Sequence, residues 1–200
     1  MYFVKIPEII QAIFKPIHWK VKDSDALYLT FDDGPHPDST PRLLQLLNEN
    51  NIKASFFCLG ENVASYPWLL DQIKENGHTI GIHGYEHLSG WKSSTTQYLQ
   101  NVHKCKNLIS SVLFRPPFGQ LKYRQYRQLN SKYKIIMWHI MPGDFNDKVS
   151  ALDCFNNITQ NATNGSIIVL HDSVKTIDKL SKLIPELKTF YSDKFKRLPY

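Results

Sequence analysis

The stretch Ala26-Leu27-Tyr28-Leu29-Thr30-Phe31-Asp32-Asp33-Gly34-Pro35 decides how this chain is read. Its first six residues have the β-branched and aromatic content, the length and the bounding turn residues of a buried strand. The strand runs directly into two adjacent carboxylates and a Gly-Pro stop. Two like charges at a rigid strand end repel each other and lose solvation, so the pair is costly unless a cation lies between them or they take different roles. Taken alone, Asp-Asp-Gly reads equally as a solvated turn. The distinction comes from the rest of the chain.

After the Gly-Pro stop, Asp38-Ser39-Thr40-Pro41 offers helix caps, and Leu43, Leu44, Leu46 and Leu47 give an apolar face that ends at Asn50-Asn51. Ala54 to Leu59 is a short strand closed by Gly60, a helix is predicted from Glu61 to Asn76, and Gly77 stands where a left-handed cap belongs. His78 to Ile82 is strand, Ser94 to Ser111 helix, Val112 to Arg115 strand stopped by Pro116-Pro117, and Lys122 to Asn130 helix. Tyr133 to Ile140 is strand-like, Leu152 to Thr163 helical, Ser166 to Leu170 strand and Thr176 to Tyr191 helical. Six or seven strands alternating with helices over short connections imply parallel strands, in a barrel or a doubly wound sheet. Both architectures gather their sites at the carboxyl ends of the strands. Asp32-Asp33, His83 and His87, Arg115, Asp144, and His171-Asp172 all fall at such ends.

Two hundred residues with 42% hydrophobic content suffice for one folded core. The net charge of +6 is spread without a basic run, and no nucleic-acid-binding motif appears, so no nucleic-acid partner is expected. Cys58, Cys105 and Cys154 are odd in number and lack a Cys-x-x-Cys, which reads as buried or free thiols. Phe3, Ile6, Ile10, Ile13 and Ile17, with Lys5, Glu8, Gln11 and Lys15 between them, predict an amphipathic helix in residues 1–24, ahead of a domain in 25–200. Docking of that helix on the domain is expected, and membrane-surface contact through residues 1–21 is the alternative. No signal peptide or membrane span is recognised, so the expected location is cytoplasmic by default, as a monomer.

His83-Gly84-Tyr85-Glu86-His87 puts two imidazoles four residues apart, a spacing that brings both rings to one side. With Asp33 they make a two-histidine, one-carboxylate set suited to zinc or another divalent transition metal. Glu86 is an alternative third ligand. A histidine pair of this spacing is also common as surface or capping residues, and on spacing alone both readings stay open.

Thr30-Phe31-Asp32-Asp33-Gly34-Pro35, His83-x-x-x-His87, Arg115-Pro116-Pro117-Phe118-Gly119 and Leu170-His171-Asp172 resemble four of the five ordered motifs of the polysaccharide deacetylases, the NodB-homology domains of carbohydrate esterase family four. Trp138 followed by Asp144-Phe145 is similar to the fifth. The resemblance covers about Asp25 to Tyr191. It implies a distorted (β/α)7 barrel and a metal-dependent hydrolase that removes N-acetyl, or O-acetyl, groups from a carbohydrate polymer or oligosaccharide. It further implies Asp33, His83 and His87 as ligands of one divalent ion, most simply Zn2+, with Co2+, Ni2+ or Mn2+ as alternatives. By the same resemblance Asp32 is the general base, held by Arg115, and the N–H of Phe118 faces the oxyanion. His171 is the general acid, oriented by Asp144, and Pro117, Trp138, Phe145 and Leu170 are substrate contacts.

This sequence departs from the family's pattern at Gly84, where Ser or Thr is usual, at His139 and Met141, which replace acidic residues, and at Phe145, which replaces Trp. Hydrolysis of a small non-carbohydrate amide or imide is the alternative activity. A catalytically inactive glycan-binding module is a further one, and the intact Asp32 and His171 weigh against it. Trp19, Trp68, Phe56, Phe57, Phe114 and Tyr133 read as core aromatics, whereas Trp91 and Trp138 lie close enough to the motifs to stack on a sugar.

Overall fold

The computed structural model describes residues 3–13 and 16–200. Six parallel strands form one curled sheet in the order β5-β4-β3-β2-β1-β6, where β1 is Tyr28–Asp32, β2 Ser55–Cys58, β3 Thr79–Ile82, β4 Leu113–Phe114, β5 Lys134–Ile135 and β6 Ile167–His171. Helices α2 (Thr40–Glu49), α3 (Gly60–Ser65), α4 (Pro67–Glu75), α5 (Thr95–Lys106), α6 (Tyr123–Asn130), α7 (Ala151–Thr159) and α8 (Ile177–Tyr191) make the crossovers. The alternation read from the sequence thus becomes a distorted (β/α) barrel.

The pleat divides each strand between two cores. On β1, Leu29 and Phe31 face the helices and join Leu43, Leu47, Phe56, Leu170 and Leu183 in the main cluster. Tyr28 faces inward with Phe57, Leu113, Ile136 and Ile167. At the mouth, Thr30 and Asp32 share that inner face, so the strand that packs the barrel also presents its carboxylate into it.

Three departures from the sequence reading have local causes. The helix expected over Glu61 to Asn76 is two, α3 and α4, because Pro67 forces the preceding residue out of helical geometry and Tyr66 has φ −135° and ψ 60°. The strand expected over Tyr133 to Ile140 is regular only at Lys134–Ile135. Beyond it the carbonyls of Ile136 and Met137 accept from the Arg115 guanidinium instead of a neighbouring strand. Ile140 then bridges to Ile168 of β6, so an irregular segment occupies the seventh place of the barrel.

The third concerns the amino-terminal segment. α1 covers only Glu8–Ile13, and Lys15, part of the expected amphipathic pattern, lies outside the described residues. Ile6 and Ile10 pack against Trp19, Met137, Trp138 and Val169, while Phe3, Ile9 and Ile13 are exposed. Extended backbone does much of the docking: the Ile6 N–H donates to His139 O at 3.0 Å and the Met141 N–H to Val4 O at 2.8 Å. Among the described residues no helix is long and apolar enough to cross a membrane.

Candidate metal and catalytic site

Arg115 is the organising side chain at the barrel mouth. It is completely buried and stacks on Phe57, its guanidinium carbon 4.1 Å from the ring centroid. Nη1 donates to Asp32 Oδ1 and to Thr30 Oγ1, each at 2.7 Å, Nε to Ile136 O at 3.2 Å and Nη2 to Met137 O at 3.0 Å. A buried guanidinium is tolerable only when so fully bonded. Asp32 therefore has one oxygen fixed and the other, Oδ2, turned toward the histidines, 3.9 Å from His83 Nε2.

Asp33 leaves the strand with φ +76°, a left-handed conformation that Asp tolerates better than most residues. This turns its carboxylate between the two imidazoles: Oδ1 lies 3.6 Å from His83 Nε2 and 3.4 Å from His87 Nε2. Ligand atoms on a tetrahedral ion with bonds of about 2.0–2.1 Å stand roughly 3.3 Å apart, so the spacing fits zinc-sized coordination. Asp33 Oδ1 is enclosed and has no hydrogen-bond partner among the described residues, the condition of a ligand oxygen.

The histidines are prepared to match. His83 Nδ1 donates to Arg115 O at 2.8 Å, which leaves the Nε2 lone pair facing Asp33. Burial lowers the pKa of both His83 and His87, so both imidazoles are neutral at pH 7, the form in which histidine binds a metal. Burial raises the Asp33 pKa, and His83 opposes it. Asp33, His83 and His87 form the cluster that could hold an ion, and Glu86, the alternative third ligand, is exposed and outside it.

Across the mouth, His171 ends β6. Its Nδ1 lies 3.0 Å from Asp144 Oδ1 and its backbone N–H donates to Asp144 Oδ2 at 2.7 Å. Burial disfavours the imidazolium, but the charge and hydrogen bond of Asp144, helped by Asp32 and Asp33, outweigh it and push the pKa up to about 9. The Asp144 loop is pinned by Lys179 of α8, whose Nζ donates to the carbonyls of Asp144 at 2.7 Å and Asn146 at 2.8 Å.

The remaining predicted residues divide. Phe118 sits in a turn with φ +57°, its exposed ring edge-on to His87 at 4.3 Å between centroids. Its N–H has no acceptor in the backbone network of the described residues, as an oxyanion donor requires. Phe145 packs edge-on to His171 at 5.2 Å, Pro117 is buried in the same turn as Phe118, and Trp138 packs beneath that turn against Gly119. Leu170 is a correction. The pleat turns it into the helix-side core with no exposure, away from the mouth, and Val169 takes the place on the face shared with His171.

Sequence reasoning also passed over residues that act through others. Thr30, Lys179 and Asp172 are such residues. Asp172 is buried, accepts from Ser39 Oγ at 2.6 Å and Thr40 Oγ1 at 2.5 Å, and donates its N–H to Asp32 O at 2.8 Å. Burial raises its pKa to about 6. No sequence signal finds such partners, which stand 35 residues apart for Lys179 and Asp144, 85 for Thr30 and Arg115, and 133 for Asp172 and Ser39.

The family model described as Polysaccharide deacetylase matches residues 20–137, and the chain belongs to that family. It is 34% identical to a peptidoglycan-N-acetylglucosamine deacetylase of Bacillus cereus over 173 residues, spanning 80% of this chain and 62% of that protein. A second Bacillus cereus protein of the same name is 32% identical over 186 residues, 86% of each chain. Among solved structures, the Bc1960 peptidoglycan N-acetylglucosamine deacetylase bound to an N-hydroxybenzamide superposes with a TM-score of 0.84 at 30% identity, covering 95% of this chain and 94% of that one. A family 4 carbohydrate esterase from Streptomyces lividans in complex with acetate gives 0.73 at 25% identity, covering 84% and 90%.

Proposed function

We propose that the protein is a metal-dependent hydrolase that removes N-acetyl groups from an amino-sugar polymer or oligosaccharide, with peptidoglycan-type N-acetylglucosamine the first substrate to try. The observation that carries the reading is the enclosed, unpartnered Oδ1 of Asp33 between two neutral imidazoles. The names of the relatives support the substrate class.

Asp33, His83 and His87 would hold the ion, and the two-nitrogen, one-oxygen set suits zinc, with cobalt, nickel or manganese as replacements. When bound, such an ion supplies Lewis acidity and lowers the pKa of water. Asp32 needs no bond to it: held by Arg115, its carboxylate takes the proton from the attacking water. Phe118 offers its N–H to the oxygen on which charge develops. His171, kept protonated by Asp144, gives its proton to the departing amine, which is a poor leaving group without it.

Acetate release from N-acetylglucosamine oligomers and peptidoglycan fragments, with each metal supplied in turn, tests this reading. Release is expected, with its loss on chelation and in Asp32→Asn. A metal-loaded protein that frees no acetate from any N-acetylated glycan contradicts it.

A further inference from the structure

The segment Gly84–Glu86 joins the two histidines, and its backbone groups must all find partners if His87 is to stay against Asp33. Helix α3 provides two of them. The N–H groups of Gly60 and Glu61, first-turn donors without acceptors inside their own helix, donate to the carbonyls of Gly84 and Tyr85, each at 2.9 Å. Helix α5 provides three more through one residue. The Asn101 backbone carbonyl accepts from the Tyr85 N–H at 3.2 Å, its Oδ1 accepts from the Glu86 N–H at 2.8 Å, and its Nδ2 donates to Glu86 O at 2.9 Å. Asn101 is 8% exposed, so water is a poor substitute for these bonds.

Gly84 makes this clamp sterically possible. It has φ +93°, and a Cβ there would stand 2.8 Å from Asn101 Nδ2 and 3.0 Å from Glu86 O. Any side chain at 84 would be strained and would press on the carboxamide where it bonds to Glu86.

We propose that Asn101 is a positioning residue of the metal site: by bonding both backbone groups of Glu86 it holds the adjacent His87 in reach of Asp33, and Gly84 is its steric counterpart. The proposal rests on the metal-binding reading of Asp33, His83 and His87. A carboxamide is needed because the task takes one acceptor and one donor at once. A carboxylate offers acceptors only and would face the Glu86 carbonyl with negative charge.

The test measures zinc affinity by competition with a chromogenic chelator, and the visible spectrum of the cobalt-loaded protein, for the wild type, Asn101→Ala, Asn101→Asp and Gly84→Ala. Each variant is expected to bind zinc about 10- to 100-fold more weakly, the range typical of lost support for a ligand, with an altered cobalt spectrum. The double variant Gly84→Ala/Asn101→Ala is expected to be no weaker than the weaker single one, since both remove the same clamp. Should Asn101→Ala fail to fold, Asn101→Asp carries the test, because it keeps the volume and the bond to the Glu86 N–H. Unchanged zinc affinity and spectrum in Asn101→Asp, even with a lowered Tm, overturns the positioning role, and independent losses that multiply in the double variant remove Gly84 from it. A wild type that binds no zinc overturns the metal reading itself.

Discussion

Asp32 and His171 are register partners at the last positions of β1 and β6. Partners in a parallel ladder face the same side, so the carboxylate proposed as base and the imidazole proposed as acid are set side by side by strand register. Each is then held by its own counter-charge, Asp32 by Arg115 and His171 by Asp144. The proposed division of the two proton-transfer tasks rests on that separation.

Asp32→Asn keeps shape but cannot accept a proton. Metal content should match the wild type while kcat falls by about 10²- to 10⁴-fold, the usual range for a lost general base. Elemental analysis and acetate release on the same preparation decide it, and substantial turnover by the metal-loaded variant removes Asp32 from the role.

Arg115→Met leaves the Asp32 carboxylate, the Thr30 hydroxyl and two carbonyls without their donor in a site closed to water. Removal of one partner from a buried ion pair typically destabilises by about 3–5 kcal/mol. Urea denaturation reads this directly, and a loss under about 1 kcal/mol, the scale of an exposed pair, would show that Arg115 is not needed for the mouth to form.

In the metal-free protein the His171 imidazole should titrate near pH 9, by NMR, because the Asp144 carboxylate outweighs burial. The folded pKa is raised above the ordinary 6.5, so its stabilisation is complete below pH 6.5 and is lost as pH rises through about 9. Asp144→Asn leaves burial as the leading influence and should bring the titration down sharply, moving the high-pH limb of kcat/KM the same way. An unmoved limb would separate Asp144 from the acid.

Leu170→Ala removes a side chain from the helix-side core. Stability should fall by about 2–5 kcal/mol with KM for substrate unchanged. A raised KM with stability intact would put Leu170 back in the substrate site.

The alternation of strands and helices was legible because each strand is a short apolar run closed by Gly, Pro or a carboxylate, and the candidate site residues drew notice because most stand at those closures. The break between α3 and α4 was also written in the sequence, at Pro67. The rest was not, for a common reason. β5 is cut short by bonds from Arg115, Asp144 is braced by Lys179 of α8, and the histidine loop is clamped by Asn101 of α5, partners that periodicity cannot reveal. The facing of Leu170 and Val169 depends on the phase of the pleat, which a one-residue shift inverts.

The most direct measurement is metal stoichiometry by elemental analysis on the wild type and His87→Ala, each stripped with chelator, reloaded with zinc and assayed for acetate release from N-acetylglucosamine oligomers. The wild type should hold one zinc per chain and release acetate, and His87→Ala should lose both. Full zinc content in His87→Ala, or acetate release by the stripped wild type, would contradict the assignment of Asp33, His83 and His87 as the metal site of a deacetylase.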